Sequence, residues 1–162
     1  MPTTAFDNAM ILRPAVSDDE SQIIALMPYL ADFAIPTRRQ PEHLWSGDAE
    51  MARAILAGQT DSSFIDVAAD DNGNIAGLIM VSMREEMLSH DPSAHLEAIV
   101  VDPRARGCGL GKRLMQHCEA RVRELGASSL TLHVFQSNER ARALYAGEGF
   151  DEELIRAIKW LD

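Results

Sequence analysis

A short glycine-rich segment contains the residues whose types and spacing point most clearly to chemistry. Glycines at alternate positions are flanked by basic side chains; the glycines are Gly107, Gly109 and Gly111, and the basic residues are Arg104, Arg106, Lys112 and Arg113. A glycine-rich turn that opens a helix points backbone N–H groups outward at the positive end of the helix dipole. This arrangement suits phosphate groups. The sequence therefore predicts an anion site in residues 104–113, called the glycine loop below.

The elements on either side must position this loop. Residues 96–101 are apolar apart from Glu97, which predicts a buried strand. From residue 110 to residue 125, apolar residues recur at helical spacing until Gly126, which predicts a helix. Two familiar phosphate motifs do not fit. A Walker loop needs glycine where Arg106 stands, and a dinucleotide fingerprint needs G-x-G-x-x-G, whereas this loop reads G-x-G-x-G.

The rest of the chain predicts one α/β domain over residues 1–162, with residues 1–9 as a flexible lead-in. Strands are expected near residues 10–13, 63–69, 75–83 and 130–134, and a final strand pair over 151–160. Helices are expected after Ser17, from about residue 41 to residue 57, and from Asn138. Asn72-Gly73 predicts a hairpin between the second and third strands.

Charge and composition exclude several classes of function. The 25 acidic and 15 basic residues give a net charge of −10, which disfavours nucleic acid and anionic membranes and favours cationic partners. We find neither a leader nor an 18-residue apolar run, so a cytoplasmic protein is expected. The five histidines and two cysteines lack metal-ligand spacing, so no metal is expected.

Two motifs carry a resemblance to a known family. The sequence R-A-R-G-C-G at 104–109 resembles the R-x-x-G-x-G acyl-CoA loop of the GNAT N-acetyltransferases. N-x-x-A-x-x-x-Y-x-x-x-G-F, from Asn138 to Phe150, is similar to a downstream motif of the same family. The resemblance is good over residues 94–150 and loose over the N-terminal third. It implies a mixed, mainly antiparallel sheet of six to seven strands flanked by about four helices, with acetyl-CoA as co-substrate.

The resemblance also implies which residues hold acetyl-CoA. Backbone N–H groups of residues 106–112 would bind the pyrophosphate, and the strand edge at 99–101 would pair with the pantetheine amides as a bound peptide does. A bulge in that strand would aim an N–H group at the thioester carbonyl. Asn138 either caps its helix or contacts the pantetheine arm. The predicted co-substrate residues are Ile99, Val100, Val101, Arg104, Arg106, Gly107, Cys108, Gly109, Leu110, Gly111, Lys112 and Asn138.

Acetyl transfer to an amine also needs a base for the ammonium and an acid for the leaving thiolate. Glu97 is the predicted base, because a carboxylate within an apolar strand is poorly solvated and binds a proton more readily. The alternatives are that Glu97 faces solvent or pairs with an arginine, that a chain of waters replaces it, or that His133 serves. Tyr145 is the predicted acid, although its helical spacing would equally place it in the core.

Together these features predict an acetyl-CoA-dependent N-acetyltransferase that acts on a primary amine of a cationic small molecule, such as a polyamine, an amino acid or an aminoglycoside-like compound. Residues 32–40 would wall the acceptor pocket, Phe33 and Trp45 could line it, and Glu85-Glu86 would attract the amine. Two alternatives remain: a protein N-terminal or lysine acetyltransferase, and a catalytically silent acyl-CoA sensor. Homodimers are common among similar proteins, but no stretch of the sequence specifies an interface.

Overall fold

The fold is given by a computed structural model that describes Phe6 and residues 9–162. The predicted flexible lead-in therefore lies mostly outside the described residues. In the described chain, five strands form one sheet in sequence order: β1 (Ile11–Pro14), β2 (Ser63–Ala69), β3 (Ile75–Glu85), β4 (Pro92–Val101) and β5 (Leu130–Leu132). All neighbours are antiparallel except β4 and β5, which are parallel. The predicted mixed, mainly antiparallel α/β class is confirmed.

Four α-helices cover the sheet within the described residues: α1 (Glu20–Leu26), α2 (Ser46–Leu56), α3 (Leu110–Glu124) and α4 (Glu139–Gly147). Helices α1 and α2 pack on one face, and α3 and α4 pack on the other. The helix expected from residue 41 to 57 is interrupted at Trp45, whose φ of −136° lies outside the helical range, and its first part is a 3₁₀ turn over Pro41–Leu44. No described helix has the length and apolar character needed to span a bilayer.

Each face of the sheet has its own apolar core. The central strand β3 serves both, because Ile79 and Val81 pack toward α3 while Leu78 and Met80 pack toward α1 and α2. The start of α3 lies close to the sheet at Gly77, where a Cβ would stand 3.0 Å from Cδ1 of Leu114 and 3.6 Å from Cδ2 of Leu110. This close approach sets where the glycine loop meets the sheet.

A buried carboxylate holds the later part of α3 against the sheet. Asp66 of β2 is 1% exposed and is hydrogen-bonded to Nε2 of His117 at 2.7 Å and to the guanidinium of Arg121. Arg121 also lies over the ring of Phe64, 3.8 Å from its centroid. Because a buried charge is costly unless it is paired, these contacts satisfy Asp66 and fix the helix.

Strand β4 is bulged at Glu97. Met80 of β3 pairs with Ala98 and the next residue, Val81, pairs with Leu96, so Glu97 has no partner on β3. The extra residue shifts the alternation of side chains: Leu96 packs toward α3, and Ala98 packs toward α1 and α2. The pairing of β4 with β5 also ends at Leu96. From residue 97 to residue 101, β4 therefore has one open edge.

The predicted final strand pair is wrong. Residues 151–162, called the C-terminal tail below, form no strand, and every one of them is exposed. The described sheet therefore has five strands rather than the six or seven expected. β-Branched and aromatic residues such as Ile155, Ile158 and Trp160 give a segment strand propensity, but a strand forms only against a partner edge. The tail leaves the sheet after Gly149 (φ +89°), and its backbone makes no hydrogen bond within the described chain.

Candidate active site

A cavity of about 470 Å³ opens where β4 and β5 part. Its walls are the open half of β4, the glycine loop with the start of α3, the chain from the end of β5 into α4, and the segment after α1. Such a size is typical of small-molecule sites. Twelve of the predicted site residues line it: Glu97, Ile99, Val100, Val101, Arg106, Gly107, Gly109, Leu110, Gly111, Lys112, Asn138 and Tyr145.

Two predicted co-substrate residues, Arg104 and Cys108, lie outside this lining. The guanidinium of Arg104 donates from Nε and Nη2 to the carboxylate of Asp102, at 3.1 and 2.8 Å. The thiol of Cys108 donates to the carbonyl oxygen of Ala105 at 2.9 Å. Both side chains thus stabilise the shape of the glycine loop, and their contact with a co-substrate stays a prediction.

The glycine loop has the geometry of an anion site. Gly107 and Gly109 have φ values of +83° and +80°, where a side chain would be strained. In the described chain, the N–H groups from Gly107 to Lys112 donate to no backbone carbonyl. The first N–H groups of a helix always lack an intrahelical partner, and here they stand beside the Lys112 side chain. The residues present therefore fit the diphosphate of acetyl-CoA.

The open edge of β4 continues from this loop toward the bulge. Ile99, Val100 and Val101 lie on the stretch that β5 leaves unpaired, and all three line the cavity. Arg106 closes its far end by donating from Nε to the carbonyl oxygen of Val101 at 3.3 Å. An extended backbone edge of this kind accepts an amide-containing chain by adding it to the sheet. The edge therefore fits a pantetheine arm.

Glu97 lies at the bulge with its side chain 23% exposed. Its Oε1 accepts a hydrogen bond from Nη2 of Arg84 at 3.3 Å. The carboxylate thus lines the cavity and also pairs with an arginine, as one of the alternatives left open by the sequence expected, and its role as a base stays a prediction. The contact is long and Arg84 is half-exposed, which makes the ion pair weak. The other carboxylate oxygen, Oε2, accepts no hydrogen bond from the described residues.

A second carboxylate in the cavity, Asp48 of α2, was missed by the sequence analysis. Burial, with a smaller contribution from the nearby Glu97 carboxylate, raises the pKa of Asp48 to about 6. Two carboxylates that repel each other in this way are stabilised by a cation placed between them. In the helix expected from residue 41, Asp48 lies well inside the element and carries no signal of a site; the interruption at Trp45 places it in the first turn of α2, where acids commonly stabilise the helix itself.

Helix α4 contributes Tyr145 and Asn138. Burial raises the pKa of Tyr145 to about 12, so its hydroxyl is protonated at neutral pH. The same ring packs edge-on against Phe150, 5.8 Å between centroids, so Tyr145 is both a core aromatic and a cavity residue. Asn138 caps the helix, because its Oδ1 accepts from the N–H of Ala141 at 3.3 Å. Contact of Asn138 with a pantetheine arm stays a prediction.

The segment after α1 forms the wall opposite the loop. Nη1 of Arg106 donates to Oδ2 of Asp32 at 2.8 Å, and Nη2 of Arg140 donates to the Asp32 carbonyl at 3.4 Å. Phe33 packs against Phe135 with 5.7 Å between ring centroids. Asp32 and Phe33 both line the cavity. Trp45 packs against the core instead and is absent from the lining.

Two further sequence candidates have different positions. His133 lines the cavity, and its ring lies 4.7 Å from that of the buried His95, whose Nδ1 is hydrogen-bonded to Thr131 at 2.8 Å. Burial, Arg84 and His133 lower the pKa of His95 to about 4, so His95 is neutral and serves to position its neighbours. His133 remains an alternative base.

The acidic pair Glu85-Glu86 lies outside the cavity lining. The Glu86 carboxylate accepts hydrogen bonds from the N–H groups of Leu88 and Ser89, at 2.9 and 2.6 Å, and so stabilises its own turn. Three carboxylates line the cavity instead: Asp32, which is paired with Arg106, Glu97, which is paired with Arg84, and Asp48. Within the described residues, we find no group of three histidine, cysteine or acidic side chains arranged to hold a metal ion.

Comparison with known proteins agrees with this geometry. Residues 28–150 match the model of the acetyltransferase (GNAT) family. The chain belongs to this family. The match covers both the glycine loop and the Asn138–Phe150 motif, and it confirms the family inferred from them. For this GNAT chain, the open β4 edge and the loop are the expected co-substrate elements.

Similar proteins include catalysts of several kinds. The N-terminal acetyltransferase A complex catalytic subunit ard1 of Schizosaccharomyces pombe is 39% identical over 80 residues, which cover 49% of this chain and 45% of that protein. The chain thus spans less than half the length of this relative. The uncharacterized N-acetyltransferase YhfO of Bacillus subtilis is 26% identical over 145 residues, 89% of this chain and 91% of that one.

A solved structure supports the fold. The protein AAC(6')-Iy, in complex with the bisubstrate analogue CoA-S-monomethyl-acetylneamine, superposes with a TM-score of 0.69 and 23% identity. The alignment covers 96% of this chain and 99% of that chain. Likeness at this level of identity establishes the shared fold.

Proposed function

We propose that this protein transfers the acetyl group of acetyl-CoA to a primary amine of a cationic small molecule. One observation carries the proposal: the glycine loop, the open edge of β4 and the Glu97–Asp48 carboxylates all face one cavity. Acetyl-CoA, when bound, supplies an acetyl group activated as a thioester. The residues of the chain bind and orient the two substrates and move the two protons.

The donor residues bind and orient. Free N–H groups of the glycine loop, with Lys112, hold the diphosphate, since they combine a helix N-terminus with a positive side chain. The edge of β4 runs from this loop to the bulge, so a chain laid along it is directed toward Glu97. The unpaired bulge also leaves an N–H group of β4 available to stabilise negative charge on an acyl oxygen.

The acid–base residues manage two protons. An amine with a pKa near 10 is neutral in only about one molecule in a thousand at pH 7, so a base that removes its proton lowers the barrier by about 4 kcal/mol. Glu97 is the proposed base because its carboxylate stands at the bulge. Tyr145 is the proposed acid because its hydroxyl is protonated at neutral pH and lines the same cavity.

The acceptor class follows from the charge of the acceptor side. Asp48 and Glu97 together favour an acceptor with at least one positive charge, and the overall charge of −10 raises the local concentration of cations. The structural neighbour AAC(6')-Iy, which was solved with an acetylneamine analogue, supports a small cationic acceptor. A polyamine, an amino acid or an aminoglycoside-like amine all meet this requirement.

A second candidate is acetylation of protein N-termini, which the similarity to ard1 favours. That reaction needs a groove open enough for a peptide to cross the cavity. Here the contacts of Asp32 and Phe33 with Arg106, Arg140 and Phe135 narrow the cavity between the segment after α1 and the chain facing it, which favours a small acceptor over a peptide. The small-molecule reading is therefore preferred.

The test is release of free thiol from acetyl-CoA against a panel of polyamines, amino acids, aminoglycosides and short peptides. We expect turnover on small cationic amines, lost in Glu97→Gln and Tyr145→Phe while CoA affinity is kept. Turnover on peptides alone would move the assignment to an N-terminal acetyltransferase. Tight CoA binding without turnover on any amine would indicate the silent acyl-CoA sensor.

A further inference from the structure

One carboxylate on the acceptor side of the cavity is already neutralised. Nη1 of Arg106 donates to Oδ2 of Asp32 at 2.8 Å, and this hydrogen bond, with a smaller contribution from the charge of Arg140, lowers the pKa of Asp32. Arg140 also donates to the Asp32 carbonyl and lines the same cavity. Two guanidinium groups thus interact with one carboxylate. A substrate ammonium placed beside Asp32 would meet more positive than negative charge.

The other two carboxylates provide for one cation. Asp48 and Glu97 both line the cavity. Burial first, and then the nearby Glu97 carboxylate, raise the pKa of Asp48 to about 6. One ammonium between the two carboxylates relieves their repulsion and satisfies both charges. Because Asp32 is paired, the acceptor side provides for a single positive charge.

Much of the remaining acceptor side is apolar. Phe33 packs against Phe135 with ring centroids 5.7 Å apart, and both rings line the cavity. Leu30 in the segment after α1 and Leu44 just before α2 line it too. Hydroxyl or ammonium groups placed against such side chains lose water without gaining a partner, whereas an apolar group gains from leaving water. This surface therefore favours a substrate with an apolar body.

Packing alone does not explain the pair of Phe33 and Phe135. Neither ring packs against either apolar core of the described chain. Phe135 is 39% exposed and Phe33 is half-buried, whereas rings that serve only a core are covered. The donor does not require them either, because the glycine loop and the edge of β4 provide for it, and Phe33 belongs to the wall opposite that loop. Both rings are therefore free to contact the acceptor.

We propose that the acceptor is a monoamine, a single ammonium group on an apolar alkyl or aryl body, and that the ammonium lies between Asp48 and Glu97. Its body packs against Phe33 and Phe135. This inference rests on the proposed function and narrows it. Among the cationic amines considered above, polyamines and aminoglycosides carry further ammonium groups, which would lie against apolar side chains or beside the paired arginines.

The reaction balances with one ammonium. The amine nitrogen forms a bond to the acyl carbon, and the C–S bond of the thioester breaks. The ammonium loses two protons in all. One leaves through Glu97 to solvent, and the other balances the proton that Tyr145 gives to the leaving thiolate.

The test is calorimetric titration of the full chain with two amines that differ by one ammonium group. They are hexylamine and the diamine that carries a second amino group at the other end of the same chain; phenylethylamine adds an aryl body. The titrations run with and without saturating CoA, above the pKa of about 6 that burial gives Asp48. We expect hexylamine and phenylethylamine to bind at least about tenfold more tightly than the diamine, and kcat/KM from thiol release to follow the same order.

Substitutions in the aromatic pair test where the body lies. Phe135→Ala should raise the KM for phenylethylamine about tenfold and change kcat by less than about twofold, because the ring contacts the body and not the reacting atoms. Methylamine has no such body, so its KM should be unchanged. Phe33→Leu, which keeps an apolar side chain, should cause a smaller rise. The matched control is Leu88→Ala, which shortens a side chain that is 66% exposed and outside the cavity lining, and which should change neither constant.

Circular dichroism verifies that each variant is folded. Equal or tighter binding of the diamine would overturn the inference, as would a Phe135→Ala variant that keeps the KM for phenylethylamine or that loses methylamine equally. The proposed function fails separately. Thiol release with the diamine as preferred acceptor would overturn the inference and leave acetyl transfer intact. Selective binding of the monoamines without thiol release from acetyl-CoA would uphold the inferred pocket and overturn the proposed function.

Discussion

The two sides of the cavity are built from different material. The donor side is mostly backbone: the N–H groups of the glycine loop and the open edge of β4, within one continuous stretch of chain. The acceptor side is made of side chains from three separate segments: Asp32 and Phe33 after α1, Asp48 on α2, and Glu97 on the bulge. A backbone site keeps its ligand when neighbouring side chains change, whereas a side-chain site changes specificity with each substitution. Under the proposed function, the fold therefore determines the co-substrate, and individual side chains determine the acceptor.

The largest expected effect comes from Tyr145, which stands where the two sides meet. Tyr145→Phe should lower kcat by about 100- to 10,000-fold, because the proton for the leaving thiolate is lost. The affinity for CoA should stay the same, since the ring remains. Steady-state kinetics beside a CoA titration checks both. Tyr29→Phe removes the same hydroxyl from another residue of the cavity lining and is the control. An equal loss in both variants would mean that Tyr145 has no special role.

Glu97→Gln tests whether the carboxylate on the acceptor side acts as the base. We expect kcat/KM for the amine to fall by about 100-fold or more at pH 7. It should recover as the pH approaches the pKa of the amine, because the amine is then neutral and no base is needed. A pH series of amine kinetics measures this. Glu85 lies outside the cavity lining, so Glu85→Gln should leave kcat/KM for the amine unchanged. A loss that does not change with pH would point to a structural role or to His133.

Gly109→Ala perturbs the donor side alone. At φ +80° a Cβ costs about 1–2 kcal/mol, which corresponds to roughly a tenfold rise in the Kd for CoA if the loop relaxes to avoid the strain. Space is not the cause, because a Cβ there would meet nothing within 4 Å. Calorimetry on the variant checks the shift. Gly147→Ala is the control, because a Cβ at Gly147 also meets nothing within 4 Å but the residue does not have a positive φ. An unchanged Kd would show that the loop geometry is not what binds CoA.

Asp48→Asn separates function from stability on the acceptor side. Because the pKa of Asp48 is about 6, its carboxylate is ionised above that pH and protonated below it. The KM for the amine should therefore rise by about tenfold in the variant at pH 8 and converge with wild type below pH 6. Glu50→Gln on the exposed side of the same helix should have no such effect. A KM difference that persists at pH 5 would contradict the electrostatic account.

The Asp48→Asn variant should also be slightly more stable than wild type. The folded-state pKa of Asp48 lies above its ordinary value of 3.8, so folding is favoured while the group is protonated and loses that advantage as the pH rises through 6. At pH 8, Asp48→Asn should raise the free energy of unfolding by about 1 kcal/mol, after allowance for partial exposure, and the gain should vanish near pH 4. Urea unfolding at both pH values measures it. A loss of stability at pH 8 would mean that the carboxylate has a structural partner.

The difference between the two sides also explains what the sequence could predict. The glycine loop, the strand before it and the helix after it are contiguous, so their spacing predicted the elements and an anion site. Acetyl-CoA was predicted from the resemblance of two motifs to the GNAT family, not from spacing. Glu97 was identifiable because a single acid interrupts an apolar strand. Asp48 gave no such signal, because its role depends on where α2 packs against the bulge. The tail shows the opposite error: a final strand pair was expected after the turn at Gly149-Phe150, but a turn and apolar content do not provide the neighbouring edge that a strand needs.

The most direct test of the central claim, that the glycine loop and the β4 edge form the donor site, is calorimetric titration of the chain with CoA and with ATP. We expect CoA to saturate at one molecule per chain. ATP should bind at least about tenfold more weakly, because it offers phosphates to the loop but no pantetheine arm to the strand edge. Equal affinity for the two ligands, or no binding of CoA, would contradict the account.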